Sequence, residues 1–273
     1  MAIAHNLGFP RMGAQRELKQ ALENYWQGKI SQDELLAVGK DLREQHWHLQ
    51  AKAGLDLVPV GDFAWYDHML EMSLLLGVIP ARYNHTPGEV ASIDTLFRMA
   101  RGRAPQGADV IACEMTKWFD TNYHYIVPEF ATNQAFRLSS NSLFEQVAEA
   151  QALGYKVKPV LVGPISYLWL GKCVDDNEDK FRLLPELLVV YQEILARLAQ
   201  QGVEWVQIDE PILALDLPAN WQAAMLSAYE TLKPSQVKLL LASYFGSMHD
   251  NERLLPQLAV DGVHIDAVRG RAQ

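Results

Sequence analysis

Short, almost wholly apolar runs that stop abruptly on a polar residue constrain this chain more than any other feature. Residues 55–60 stop at Gly61-Asp62, and residues 157–162 stop at Gly163-Pro164. Residues 203–208 stop at Asp209-Glu210-Pro211, 237–242 at Ser243-Tyr244, and 263–265 at Asp266. A strand with one wet face alternates apolar and polar residues. A run without alternation fits a parallel strand covered by helices on both sides. Helix-period segments lie between these runs. Leu143, Phe144, Val147, Ala150 and Leu153 lead to Gly154, while Leu184, Leu187, Leu188, Tyr191, Leu195 and Leu198 lead to Gly202. Glycine readily takes the left-handed conformation that ends a helix, and a strand follows each of these glycines. Helix, glycine, strand, polar residue is the repeat of a βα architecture.

Two helices precede this pattern. Leu18, Ala21, Leu22 and Tyr25 recur at helical spacing. A second helix opens at Ser31-Gln32-Asp33-Glu34, where Ser31 and Glu34 form a capping box. Leu35, Val38, Leu42 and Leu49 mark its expected buried stripe, and Gly28 joins the pair as a hairpin.

An open doubly wound sheet and a closed (βα)8 barrel both suit the repeat. The strand-end residues Asp62, Asp209, Glu210, Ser243 and Asp266 favour a TIM-type barrel, whose site collects groups from the C-terminal ends of many strands. No glycine-rich phosphate loop follows the first strand. With further strands near residues 6–9 and 113–125, the count reaches about seven against the usual eight. The expected fold is therefore an α/β (βα)8 TIM-type barrel that stops before its last strand, with the helical hairpin after strand one. No linker or repeat divides the chain, so residues 1–273 read as one domain.

Charge and composition exclude several function classes. The chain has 24 basic and 33 acidic residues, a net charge of -9. A general nucleic-acid or membrane-surface binder needs a basic face, so neither partner is expected. No apolar run approaches the roughly 18 residues of a membrane helix. The start, Met1-Ala2-Ile3-Ala4-His5-Asn6, lacks signal-peptide character, which points to the cytoplasm. Cys113 and Cys173 are expected as two buried thiols rather than a disulfide.

Glu114, Asp209 and Glu210 are candidate acid or base carboxylates, and a pair across a cleft would suit glycoside hydrolysis. Such carboxylates also hold arginines or cap loops. His46 and His48 flank Trp47 and point to different helix faces, so they lack metal-pair spacing. His68, His124 and His264 are isolated and suit structural hydrogen bonding. Arg11, Arg16 and Lys19 cluster at a helix start, where amides and arginine favour an anion. The alternative there is a solvated face. Residues 114–125 crowd Trp118, Phe119, Tyr123, His124 and Tyr125 into one stretch, suiting a site wall or ordinary packing equally.

Several segments together carry a resemblance. They are Leu7-Gly8-Phe9-Pro10-Arg11-Met12-Gly13 with Arg16-Glu17-Leu18-Lys19, and Val60-Gly61-Asp62-Phe63-Ala64-Trp65-Tyr66-Asp67-His68. Arg101-Gly102-Arg103-Ala104-Pro105 and Glu114-Met115-Thr116-Lys117-Trp118-Phe119 follow, with Thr121-Asn122-Tyr123-His124-Tyr125. Lys158-Pro159-Val160-Leu161-Val162-Gly163-Pro164 and Trp205-Val206-Gln207-Ile208-Asp209-Glu210-Pro211 complete the set. In order and extent, the chain resembles the N-terminal half of the cobalamin-independent methionine synthases, the 5-methyltetrahydropteroyltriglutamate–homocysteine methyltransferases.

The resemblance implies two facing barrels. The C-terminal one, absent here, would carry the zinc and the homocysteine site. This half would contribute scaffold and hold the folate triglutamate tail, with no catalytic residue, metal or cofactor of its own. The implied tail contacts are Gln15, Arg16, Glu17, Leu18 and Lys117. Position 15 departs from the family pattern, with Gln15 in place of a basic residue. The implied partners are 5-methyltetrahydrofolate polyglutamate and the missing catalytic half, with self-association through open barrel edges as a further expectation. A stand-alone carboxylate-pair enzyme and a non-catalytic interaction domain are the competing readings.

Overall fold

The computed structural model describes residues 2–175, 179–233 and 236–270. Residues 271–273 lie outside them.

The helical hairpin forms as expected. Helix α1 (Glu17–Trp26) buries Leu18, Ala21, Leu22 and Tyr25. Helix α2 (Gln32–Lys52) opens on the capping box. The Glu34 amide donates to Ser31 Oγ at 3.2 Å, and the Ser31 amide donates to Glu34 Oε2 at 2.7 Å. Its buried face differs at the far end. Leu49 is 54% exposed, whereas His46, Trp47 and Gln50 are buried. Trp47 donates its indole N–H to the Pro59 carbonyl at 3.0 Å. That bond rotates the last turns of α2 toward the sheet on an amphipathic ring instead of on leucine.

Strand β1 (Val58–Val60), α3 (His68–Leu75), α4 (Ile93–Arg101), β2 (Met115–Lys117), β3 (His124–Ile126) and β4 (Glu129–Phe130) follow. Then come α5 (Ser142–Ala152), β5 (Val157–Val162), α6 (Pro164–Leu170), β6 (Lys172–Cys173) and α7 (Leu184–Gln200). β7 (Trp205–Asp209), α8 (Ala219–Leu232), β8 (Lys238–Ala242) and β9 (Gly262–His264) complete the chain. Gly154 and Gly202 stop α5 and α7 at φ +85° and +76°, the backbone that glycine alone adopts cheaply.

The main sheet has five parallel strands in the order β1-β5-β7-β8-β9. Its apolar runs are buried as the lack of alternation requires: Leu239 and Leu241 are at most 1% exposed, as are Val206 and Ile208. Helix α7 lays Leu187, Tyr191, Ile194, Leu195 and Leu198 against it, all fully buried. This is an α/β fold on a parallel sheet. The expected (βα)8 barrel stopping before its last strand, about seven strands, is not found among the described residues: the main sheet has five strands, with β1 and β9 as its edges.

Two expected strands explain the difference. Residues 6–9 form no strand, because side chains take their backbone groups. The Phe9 amide donates to Asp62 Oδ2 at 2.7 Å, and the Leu7 carbonyl accepts from Gln207 Nε2 at 3.1 Å. Residues 113–125 fold back on themselves instead of joining the sheet. β2 pairs antiparallel with β3, and Thr121 Oγ1 donates to the Trp118 carbonyl at 2.6 Å across the turn. β4 and β6 form another small two-stranded sheet. Cys113 and Cys173 form no disulfide; Cys113 is buried and Cys173 half-buried. No described helix is long and apolar enough to cross a membrane.

Candidate functional site

A cleft of about 980 Å³ opens where strands β1, β5 and β7 end. Asp62, Asp209 and Asp266, three of the expected strand-end acids, line it. Asp209 is the last residue of β7, and Asp62 and Asp266 lie two residues past β1 and β9, so all three sit at the sheet's rim.

Beneath the cleft lies a buried polar chain that runs across the sheet. Lys158 on β5 is fully buried and donates to Gln207 Oε1 on β7. Gln207 Nε2 donates to Asp209 Oδ1 at 2.7 Å, and the Tyr244 hydroxyl donates to Asp209 Oδ2 at 3.0 Å. Burial raises the Asp209 pKa, opposed by those two hydrogen bonds and by Lys158. Burial lowers that of Lys158, opposed by Asp209 and Asp62. Burial also raises Asp62, against the Phe9 amide and the Lys158 charge. Burial pulls Asp266 upward too, yet the amides of Arg269, Val268 and Phe245 hold it below the ordinary aspartate value.

A second acidic group lies near Arg11. Glu71 Oε1 accepts from the Trp65 amide at 2.8 Å. Asp67 caps α3 through the amides of Met69 and Leu70, and accepts from Ile126. Burial pushes both carboxyls up to about 7. Arg11 donates to the Tyr66 carbonyl. His68, the expected structural histidine, packs edge-on to Trp118 at 4.5 Å and lines the cleft. Burial drops its pKa to about 4, so it is neutral at pH 7.

The other candidates scatter. Glu210 faces away from the cleft and caps α6: the Ile165 and Ser166 amides donate to it at 3.1 and 2.7 Å, and Tyr229 OH at 3.1 Å. Glu114 pairs outward with Lys172 at 2.6 Å, both side chains at least half exposed. The expected carboxylate pair of Glu114 with Asp209 or Glu210 across one pocket is thus not formed. A side chain's direction at a strand end is set by the next turn, which sequence spacing does not encode. His46 is buried against Phe9 and His48 is exposed, on different faces of α2. His124 is exposed, and His264 lines the cleft. Ser243 is buried and does not line it.

The anion-site candidates lie elsewhere. Gln15 and Arg16 are exposed, with Arg16 in the left-handed region (φ 65°) just before α1. Lys19 is exposed beside Glu23, 3.6 Å away. Glu17 Oε2 accepts from the Gln15 amide at 2.9 Å. Leu18 is fully buried and its amide donates to the Met12 carbonyl, so it offers a ligand no free group. Lys117 is exposed at the end of β2. Sequence reasoning missed Lys158 and Gln207 as chemistry, because both sit inside runs that read as apolar. Arg11 was singled out for a helix start and instead lines the cleft.

The family model described as "Cobalamin-independent synthase, N-terminal domain" matches residues 3–273. The chain belongs to that family. It is 58% identical over 269 residues to a 5-methyltetrahydropteroyltriglutamate–homocysteine methyltransferase of Photorhabdus laumondii, covering 98% of this chain and 35% of that protein. The same name and identity hold for a relative in Aeromonas salmonicida, over 100% of this chain and 36% of the relative. The chain therefore spans about a third of the length of the curated relatives it matches. Among solved structures, it is similar to a B12-independent methionine synthase from Shewanella sp. W3-18-1 in complex with selenomethionine. The TM-score there is 0.55 at 17% identity, covering 83% of this chain and 58% of that one. That likeness concerns the fold.

Proposed function

We propose that this chain is the N-terminal, substrate-holding part of a methyltransferase that moves the methyl group of 5-methyltetrahydropteroyltriglutamate to homocysteine. The observation that carries the reading is the family match across residues 3–273, together with high identity to relatives of that name. Its role is to grip the folate's glutamate tail. Arg16 and Lys117 are exposed cations with no ion pair among the described residues. Guanidinium and ammonium groups so placed pair readily with carboxylates. Gln15 and Glu17 flank Arg16, and Leu18 anchors the turn by packing.

The partner in the reaction is a C-terminal half that holds homocysteine and zinc, and the setting is the cytoplasm. Zinc lowers the pKa of a bound thiol so that a thiolate exists at neutral pH. Among the described residues, no three His, Cys, Asp or Glu groups cluster as a metal site would require. No step on this chain runs through the metal. We also read the five-stranded sheet as an arc of a (βα)8 barrel. Strand order follows chain order without reversal, as winding around a barrel requires.

Titration of mono- and triglutamyl 5-methyltetrahydrofolate onto the chain tests the reading. The triglutamate should bind more tightly. Arg16→Ala and Lys117→Ala should each cost about 1 kcal/mol of that advantage, a modest value because exposed charges are screened. Equal binding of both forms, unchanged by either substitution, would remove the tail site.

A further inference from the structure

We propose that the cleft at the strand ends is a binding site for a protonated amine with an aromatic or apolar body. This goes beyond the tail-holding role and does not rest on it. The walls are suited to such a body: Phe9, Phe63, Leu143, Tyr123 and Phe245 line the cleft. Aromatic faces attract cations as well as apolar groups.

Four acids line the cleft, Asp62, Glu71, Asp209 and Asp266, against two arginines, Arg11 and Arg269, of which Arg269 is paired with Asp120. Asp62 and Asp209 share a single lysine, Lys158, which is buried beneath the cleft and bonded to Gln207. Asp67 and Glu71 likewise feel Arg11, while Arg43 nearby is clamped bidentately on Glu149. Carboxyls thus outnumber cations at the cleft, and burial raises Asp62, Asp209 and Glu71 toward their neutral forms. A ligand ammonium beside Asp209 would relieve it, since opposite charge favours the ionised carboxylate.

Gln146 supplies an independent sign. It lines the cleft with 7% exposure, and its amide nitrogen is anchored on Ser142 Oγ at 3.1 Å. Its carbonyl oxygen has no hydrogen-bond partner. A buried acceptor without a donor costs about 1–3 kcal/mol, so a donor arriving with a ligand is favoured. An ammonium has three donors and no acceptor. It can address Asp209, Asp62 and the Gln146 oxygen, leaving the ring to the aromatic wall.

The experiment is calorimetric titration of three probes of matched shape: 2-phenylethylamine, 2-phenylethanol and 3-phenylpropionate. The amine should bind about tenfold more tightly than the alcohol, the value of one charge-assisted hydrogen bond, and the carboxylate most weakly. Asp209→Asn, whose oxygen still accepts from Gln207 and whose amide N–H can donate to the Tyr244 hydroxyl, should bring the amine down to the alcohol's affinity and leave the alcohol unchanged. Gln146→Met should weaken the amine alone. Equal binding of amine and alcohol to the unaltered chain, or tightest binding of the carboxylate, would overturn the proposal even if a variant failed to fold. An amine advantage that survives both substitutions would also overturn it, by placing the amine on surface acids.

Discussion

Asp209 and Glu210 are neighbours in sequence and opposite in fate. Asp209 ends β7 pointing at the cleft, whereas Glu210 turns inward to the first turn of α6. Burial pushes Glu210 up to about 7 from 4.5, against hydrogen bonds from Ser166, Ile165 and Tyr229. An acid whose folded pKa is raised favours the folded state most below its unfolded value. Its contribution is lost as pH climbs through the folded one. Stability should therefore fall between about pH 4.5 and about 7, by up to about 3 kcal/mol from this group. Glu71 and Asp67 act in the same direction. Urea unfolding at several pH values should show Glu210→Gln flattening the slope; an unchanged slope would mean that Glu210 is not the titrating group. At this scale the sequence is legible for where polar residues emerge and not for where they point. Asp62, Asp209 and Asp266 were readable because each stands at or just past the end of an apolar run. Glu114 and Glu210 were not, because a local turn aims them elsewhere.

Helix α2 shows what an element owes to sequence and what to its neighbours. Its start is local chemistry, so Ser31 and Glu34 announced it. Ser31→Ala should cost about 1 kcal/mol in chemical denaturation, and no change would show that the box is dispensable. Its interior is tertiary. Gly39 is buried where a Cβ would lie 2.3 Å from Trp65 Cη2. Helix propensity alone predicts a gain of about 1 kcal/mol for Gly39→Ala. The contact predicts the reverse, a loss of about 1–3 kcal/mol as Trp65 is forced off its seat. A rise in Tm for that variant would contradict the packing. The same dependence explains Leu49, which fits the helical stripe by spacing yet lies exposed because Trp47 bonds Pro59. Strands β5, β7 and β8 were legible because an unbroken apolar run has few alternatives. The β2–β3 hairpin was not, because its pairing depends on the Thr121 turn and not on periodicity.

Across the whole molecule, order along the chain becomes order across the sheet, from β1 to β9. That regularity was readable from the βα repeat. Closure was not, because closure depends on what pairs with β1 and β9, and residues 6–9 spend their backbone on Asp62 and Gln207. The chain spans about a third of the length of the curated relatives it matches, and the proposed function leaves methyl transfer to a separate catalytic half. The most direct measurement is methionine formation from 5-methyltetrahydropteroyltriglutamate and homocysteine with added zinc. It is made on this chain alone and again with the separately produced C-terminal half of a relative. The account predicts no methionine and no stoichiometric zinc on the chain alone, and turnover once the other half is present. Turnover by the chain alone, with one tightly held zinc per chain, would contradict it.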